Sequence, residues 1–497
     1  MRGISSFGGY VPHHRLARQA IADAHGQAAG KGARAVASYD EDTTSMGVEA
    51  ARLALAPLGA EAPGRVDQLW FTTTTPSYAD KTNATTVHAA LRLDREAAAF
   101  DMVGSMRSAA GALRAALQGS GTTLVVAADT RTGLPNSPDE REGGDGAAAL
   151  LVSDDDGSAA GAGAPALLAT YLGGASTTEE FLDRWRAPGE RRTKQWEERF
   201  GEMRYVPLGT EAWKLALDRA GVAPEDVATV VIAGPHARAV RQVGNKITAA
   251  TTDATTAATT AGAGATLGDD LAAGVGNTGA AHPLLVLSNA LEHAAPDQVV
   301  ALVVLADGCD VFLFRTTAAL GTFTPARPIT AQVEAGRVGL PYAKFLSWKG
   351  MLTVQPPNRP EPARASASAA ARNGDWKFGF VAGIDEATGA IHMPPSRISY
   401  ASGSLDELVP RPMADVAGTV VTFTIDRLAY SPSPPVVFAV VDFDGGGRLP
   451  VELTDVDAAE IAIGDRVEMT FRRLNQSDGI QNYFWKAKPV PTGLPPA

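Results

Sequence analysis

Phe100 to Leu117, FDMVGSMRSAAGALRAAL, decides the fold. A short apolar run ends in a Gly-Ser-Met turn and passes into an Ala-rich helix. A helix that starts this way directs unpaired backbone N–H groups at whatever sits on the turn, which suits a nucleophile or an oxyanion. The turn offers Ser105 and Met106 for that place. A serine there also has a plainer use as the helix N-cap. A methionine thioether cannot be acylated, whereas a serine can be if a base activates it.

Outward from this unit the chain repeats strand and helix. Ile4 to Val11 reads as a strand with Gly8 and Gly9 at a bend. Asp40 to Leu55, DEDTTSMGVEAARLAL, reads as a capped amphipathic helix. Val66 to Thr73 is a strand that runs into the turn TTPSY and a second helix. Thr123 to Ala128 and Ala147 to Val152 are further strands, separated by a loop rich in charge, Gly and Pro. Such units imply a mainly parallel sheet with helices on both faces. After a polar, helical stretch at Thr177 to Val206, a second set begins: a helix at Gly209 to Ala220, a strand at Val227 to Ala233 followed by PHARAVRQV, then an Ala/Thr-rich stretch at Ile247 to Leu267. The turn GVGNTGAAHP follows, then a hairpin around Asp307-Gly308-Cys309. Past about residue 320 the composition changes. Pro, Ala and Arg dominate Gln355 to Arg372, a linker pattern. From Trp376 short strands with Gly/Pro turns suggest a small barrel.

The totals bound the function. The length of 497 residues suits roughly two or three domains. A formal charge of −11 argues against nucleic acid as a partner, because phosphate binding needs a basic footprint. No apolar run has membrane-spanning length, and the start has no signal-peptide core, so the expectation is a cytoplasmic protein without a membrane partner. The single cysteine, Cys309, excludes an internal disulfide and any multi-cysteine zinc site, and reads as a buried packing thiol.

The turn at 104–106, the segment GPHARAV and the segment GVGNTGAA together resemble the thiolase superfamily, on the ketoacyl synthase III and hydroxymethylglutaryl-CoA synthase side. The resemblance extends to Tyr39-Asp40-Glu41-Asp42 and the helix behind it, and covers nearly the whole chain. It implies a five-layer α-β-α-β-α domain over 1–325, a linker over 326–375, a degenerate zinc-ribbon segment over 376–410 and an OB-type barrel over 411–497. It also implies a homodimer and an acyl-CoA or acyl-carrier thioester as substrate, with no covalently bound cofactor. His236 matches the family's catalytic histidine and Asn277 the asparagine that shares the thioester oxygen with it.

The sequence departs from the family in four places. The reactive cysteine is replaced by Ser105 or Met106, depending on register. Thr74 stands where the synthases carry an acid/base glutamate ahead of a Pro-Tyr pair, leaving Tyr78 as the polar candidate for proton handling. Arg107 replaces a lysine or small residue and is a candidate phosphate contact. Asp385, Thr388, Ser399 and Ser402 occupy the zinc-ligand positions, a donor set that does not suit zinc, so no metal is expected and the remnant should be held by packing on the barrel. The expected function is carbon–carbon chemistry on a thioester without a cysteine acyl intermediate, by aldol/retro-aldol or serine-dependent Claisen or acyl transfer. The rival is a non-catalytic acyl-CoA-binding or scaffold subunit.

Overall fold

The computed structural model describes residues 1–28, 30–155, 165–257 and 265–490. Its centre is a ten-stranded sheet made of β1 (Arg2–Tyr10), β2 (Gln68–Thr73), β3 (Ala98–Val103), β4 (Thr123–Asp129), β5 (Gly146–Asp154), β6 (Ala169–Thr178), β7 (Val227–Ala233), β8 (Thr266–Leu267), β9 (Val299–Leu305) and β10 (Gly308–Thr316). The first five strands lie in the order 3-2-4-5-1 and the second five repeat it as 8-7-9-10-6, so the fold is a duplication. The halves meet where β1 pairs with β6 over Gly3 and Ile4.

The sheet is mixed, where the repeated units led us to expect a mainly parallel one. In the first half β2 runs parallel to β3 and β4, while β4–β5 and β5–β1 are antiparallel. The second half repeats this pattern. The hairpin joining β9 to β10 is too short to hold the crossover helix that a parallel return requires.

The inner strands β4 and β9 are buried on both faces, and their successive residues serve different cores. In β9, Val299, Ala301, Val303 and Leu305 enter an outer core, while Val300, Leu302 and Val304 enter the central one. In β4, Leu124, Val126 and Ala128 face one core and Val125 and Ala127 the other. The period of two puts helices on either side of each half-sheet. Helix α1 (Thr43–Leu55) lies outside the first half; a Cβ on Gly8 would come within 2.5 Å of the Ala54 backbone N, so this glycine sets a close approach rather than a bend. Helices α2 (Arg107–Gln118) and α5 (His282–His293) fill the central layer, and α3 (Glu198–Ala220) and α4 (Ala237–Ala257) the outer second-half layer. The sequence separates a polar stretch ending at Val206 from a helix beginning at Gly209; from Glu198 onward the two are one helix, α3, which contains Pro207. The Ala/Thr-rich stretch enters as α4 and leaves as β8, and its middle, 258–264, lies outside the described residues.

The segment expected to be a linker is packed through its first half. Helices α6 (Ile329–Glu334) and α7 (Tyr342–Trp348) lie against the body. Gln332 donates to Gly9 O at 2.7 Å and accepts from Val11 N–H at 2.9 Å, and Lys349 meets the buried Asp145 at 2.5 Å. Asp145 is thus an anchor. It also accepts from the Ala37 and Arg131 backbone N–H groups.

Five strands, β11 (Gly418–Asp426), β12 (Val436–Phe443), β13 (Arg448–Leu453), β14 (Arg466–Ser477) and β15 (Ile480–Pro489), close into a barrel. It shares one apolar core with α1, combining Met46 and Leu53 with Val441 and Phe471. Ionic bonds reinforce the joint. The fully buried Arg472 meets Glu41 at 3.0 Å, Asp40 at 3.3 Å and Asp455 at 2.6 Å, and Lys486 meets Asp40 at 3.0 Å and Glu452 at 2.5 Å. Burial alone would raise the Asp40 carboxyl; Lys486 and Arg472 overcome that and hold it well below the carboxylate range. Removing the guanidinium with Arg472→Met leaves three buried carboxylates short of a partner, so the variant should lose about 3–5 kcal/mol, measurable by chemical denaturation. A loss below about 1 kcal/mol, the scale of an exposed pair, would contradict this account of the joint.

Candidate functional site

The site is assembled from strand ends. β2 ends at Thr73 and turns through Thr74 and Thr75; β3 ends at Val103 and passes through Gly104 to Ser105 and Met106; β4 ends on Asp129; β7 ends just before Gly234-Pro235-His236. Gly104, at φ +127°, donates to Thr73 O and fastens the Ser105 turn to the threonine turn.

Asp129 joins the ends of β2 and β4 to the loop before α5, and the sequence reading passed over it. Fully buried, it accepts from Thr74 Oγ1 and Thr75 Oγ1 at 2.6 Å each, from Ala280 N–H at 3.0 Å and from Thr130 N–H at 3.2 Å. An acid ending an apolar strand, with a run of threonines elsewhere, was the available signal; which hydroxyls would reach it depends on β2 lying beside β4. Thr74, at the family's glutamate position, spends its hydroxyl on this carboxylate, and its carbonyl accepts from Arg186.

Asn277 and His236 are joined through one loop. Asn277 Nδ2 donates to Gly234 O at 2.8 Å, two residues before His236, and its Oδ1 accepts from Gly279 N–H at 3.0 Å. One Nδ2 hydrogen remains for a ligand. His236 Nδ1 accepts from Ala239 N–H at 3.1 Å, which puts the proton on Nε2; Nε2–H then donates to Glu198 O at 2.6 Å, in the first turn of α3. Gly201 makes room for the ring, since a Cβ there would come within 2.7 Å of Cδ2.

Ser105 is half-buried, and its hydroxyl has no protein partner among the described residues. It does not cap α2: the N-cap position falls on Met106, without a side-chain cap bond. Met106, the other candidate on the turn, is buried in the central core with Ala109 and Ala110.

Two expected site residues serve other ends. Tyr78 Oη accepts from the Gln481 N–H of the barrel at 2.8 Å, making it a domain contact rather than a proton handler. Arg107 is not available to a phosphate. Its Nε meets Asp310 at 2.8 Å, Nη1 donates to Asp307 O at 2.5 Å, and Nη2 donates to Thr177 O and Thr178 Oγ1 at 2.9 and 2.8 Å, tying the halves together. Cys309 is fully buried in β10, and burial pushes its thiol well up.

The ribbon remnant is closed by hydrogen bonds, where packing alone was expected. Ser399 Oγ donates to Asp385 at 2.6 Å and accepts from Ser402 N–H at 3.2 Å. The Ser399 and Ser402 hydroxyls, with that of Thr388, hold the Asp385 carboxyl well below its usual range. One carboxylate and three hydroxyls do not fit zinc, and among the described residues no group of three or more His, Cys, Asp or Glu is placed to hold a metal.

Comparison with known proteins accounts for both parts. A family model described as the C-terminal OB-fold domain of ChsH2 matches residues 410–472. The hydroxymethylglutaryl-CoA synthase of Aeropyrum pernix is 26% identical over 367 residues, covering 71% of this chain and 95% of that protein. Among solved structures, MvaS in complex with 3-hydroxy-3-methylglutaryl coenzyme A superposes with a TM-score of 0.57 at 22% identity, over 70% of this chain and 91% of that one. The curacin-pathway HMG synthase in complex with holo donor-ACP gives 0.57 at 18% identity, over 70% and 88%. The body of the chain is thus similar to the hydroxymethylglutaryl-CoA synthases in sequence and fold, and a C-terminal OB-fold domain follows it.

Proposed function

We propose that this protein is an enzyme that breaks or makes the carbon–carbon bond beside the thioester of an acyl-CoA or acyl-carrier substrate, by aldol or retro-aldol chemistry and without an acyl-cysteine. The observation that carries this reading is the pairing of a packed Met106 at the start of α2 with an intact Asn277–Gly234–His236 loop. The relatives named as hydroxymethylglutaryl-CoA synthases support a thioester substrate.

In the cleavage direction the thioester oxygen of a 3-hydroxyacyl substrate accepts from the free Nδ2 hydrogen of Asn277 and from His236 Nε2–H, which exchanges Glu198 O for it. Loss of the 3-hydroxyl proton forms the new C=O as C2–C3 breaks. The bond pair becomes an enolate whose charge rests on the thioester oxygen between these donors. Protonation at C2 releases the shortened thioester, and C3 departs as an aldehyde or ketone. We assign the proton relay to the unpartnered hydroxyl of Ser105. Serine acyl transfer is less well supported, because His236 Nδ1 is taken by Ala239 N–H and Nε2 carries the proton, so neither nitrogen is a free base for Ser105. That both ring nitrogens are already engaged by the backbone favours, as the second reading, a non-catalytic acyl-CoA-binding subunit.

We also propose a homodimer joined along β3 and a cytoplasmic location. β3 is a sheet edge, with Phe100 and Val103 46% and 49% exposed. Among the described residues no helix is long and apolar enough to cross a membrane.

Incubation with 3-hydroxyacyl-CoAs should yield a trappable carbonyl product and leave the intact protein mass unchanged. His236→Ala and Asn277→Ala should each lower kcat by about 10²–10³. An acyl adduct abolished by Ser105→Ala would replace the aldol mechanism with a serine one; tight CoA-ester binding without turnover would establish the binding protein. Asp129→Asn turns an acceptor into an amide facing several donors, so it should cost about 1–3 kcal/mol of stability and lower kcat/KM at least tenfold. An unchanged variant would remove Asp129 from the site. In light scattering the protein should run at twice the mass of one chain, and Phe100→Lys should shift it to one; a monomeric parent protein would refute the dimer.

A further inference from the structure

Three cavities lie at the joint between the body and the barrel, and two of them share a wall. The outer one, about 390 Å³, is walled by His14, Lys344 and Trp348 on the body side and by Ser433 and Asp455 on the barrel side. The inner one, about 280 Å³, is lined by hydroxyls, among them Thr75 and Thr130, and so abuts the Asp129 cluster. Ser38 and Trp348 line both, forming the partition between them.

The outer cavity has unspent polar capacity of both signs. Trp348 Nε1–H is buried without an acceptor, and Asp455 Oδ1 is buried without a hydrogen-bond donor, with His14 Nε2 3.9 Å away, although Oδ2 is bonded to Arg472. Burying such atoms unpaired is costly, and a ligand that pairs them removes the cost. Lys344 lies over the Trp348 ring at 5.1 Å and has no carboxylate within 4.0 Å among the described residues, while its neighbour Arg337 is paired with Asp457. His14, which stacks edgewise on Trp348, is held neutral by burial, its pKa lowered to about 4, and so does not add charge. One wall therefore offers a cation and an N–H to an oxyanion, and the opposite wall offers a carboxylate oxygen to a hydroxyl.

We propose that the outer cavity is a second ligand site, for a small hydroxylated molecule bearing a carboxylate or phosphate. Lys344 Nζ and Trp348 Nε1 hold its oxyanion, Asp455 Oδ1 accepts from its hydroxyl, and its far end reaches past Trp348 towards Thr75. Resting on the carbon–carbon reading above, this molecule is the aldehyde or ketone that carries no thioester, its hydroxyl and oxyanion held here and its carbonyl at the far end, and it enters between the domains.

The test is isothermal titration of the full-length protein with L-malate, glycerol 3-phosphate and the neutral polyol erythritol. At least one of the two anions should bind saturably, about tenfold or more tighter than erythritol. Lys344→Gln and Trp348→Phe should each weaken that anion about tenfold, with affinity for a CoA ester unchanged. Malate alone would assign a carboxylate, glycerol 3-phosphate alone a phosphate. Absence of saturable binding by both anions, equal binding of erythritol, or an unaltered Kd in Lys344→Gln would overturn the proposal. Turnover is not read, so failure of the catalytic reading and failure of this site remain distinguishable.

Discussion

Arg472 is the constraint on which the two-domain architecture depends. Its guanidinium lies with no solvent exposure between Asp40 and Glu41 of the body and Asp455 of the barrel. A charge at that depth costs several kcal/mol to dehydrate, and only a complete set of counter-charges and hydrogen bonds offsets it. Such a set requires one relative placement of the domains. Apolar contact between α1 and the barrel is compatible with many rotations; the ionic contacts select among them. The cavities at the joint are a product of that fixed placement.

A comparable logic operates inside the body. Asp129 gathers turns that are remote in sequence, and Asp310 does the same between the halves through Arg107 at 2.8 Å, Arg114 at 3.2 Å and Ser176 at 2.5 Å. Both carboxylates take residues that look like functional candidates, Thr74 and Arg107, and use them for positioning. The Ser105 hydroxyl is not taken up in this way, and His236 and Asn277 are held by backbone groups rather than by a carboxylate.

The sequence was informative wherever a property is local. Apolar runs located the strands, Gly-rich turns located the loops after β7 and before α5, and short spacing with Gly and Pro located the barrel. His236 and Asn277 were recognisable from their own segments. What escaped were pairings between distant segments: Lys349 with Asp145, Tyr78 with Gln481, and Asp129 with Ala280. Nothing within Pro341 to Gly350 announces that its lysine will neutralise a carboxylate two hundred positions earlier, so that stretch looked like part of a linker. Strand direction was misjudged because alternating elements suggest parallel pairing, while the return from β9 is set by the length of a turn.

The knuckle at Asp385 has a consequence for how the chain is assembled in a cell. A ribbon closed by thiolates waits on metal supply and is vulnerable to oxidants and chelators. This one closes with serine hydroxyls on a carboxylate, and the protein's single thiol is sealed inside β10. Closure of this knuckle therefore calls on neither a metal ion nor a thiol. The vulnerability moves instead to acid. Because the folded-state pKa of Asp385 lies below the ordinary carboxylate range, the knuckle's contribution is fully present above that range and is lost as pH falls through the folded value. Metal dependence has been exchanged for a dependence on protons that no near-neutral compartment would test.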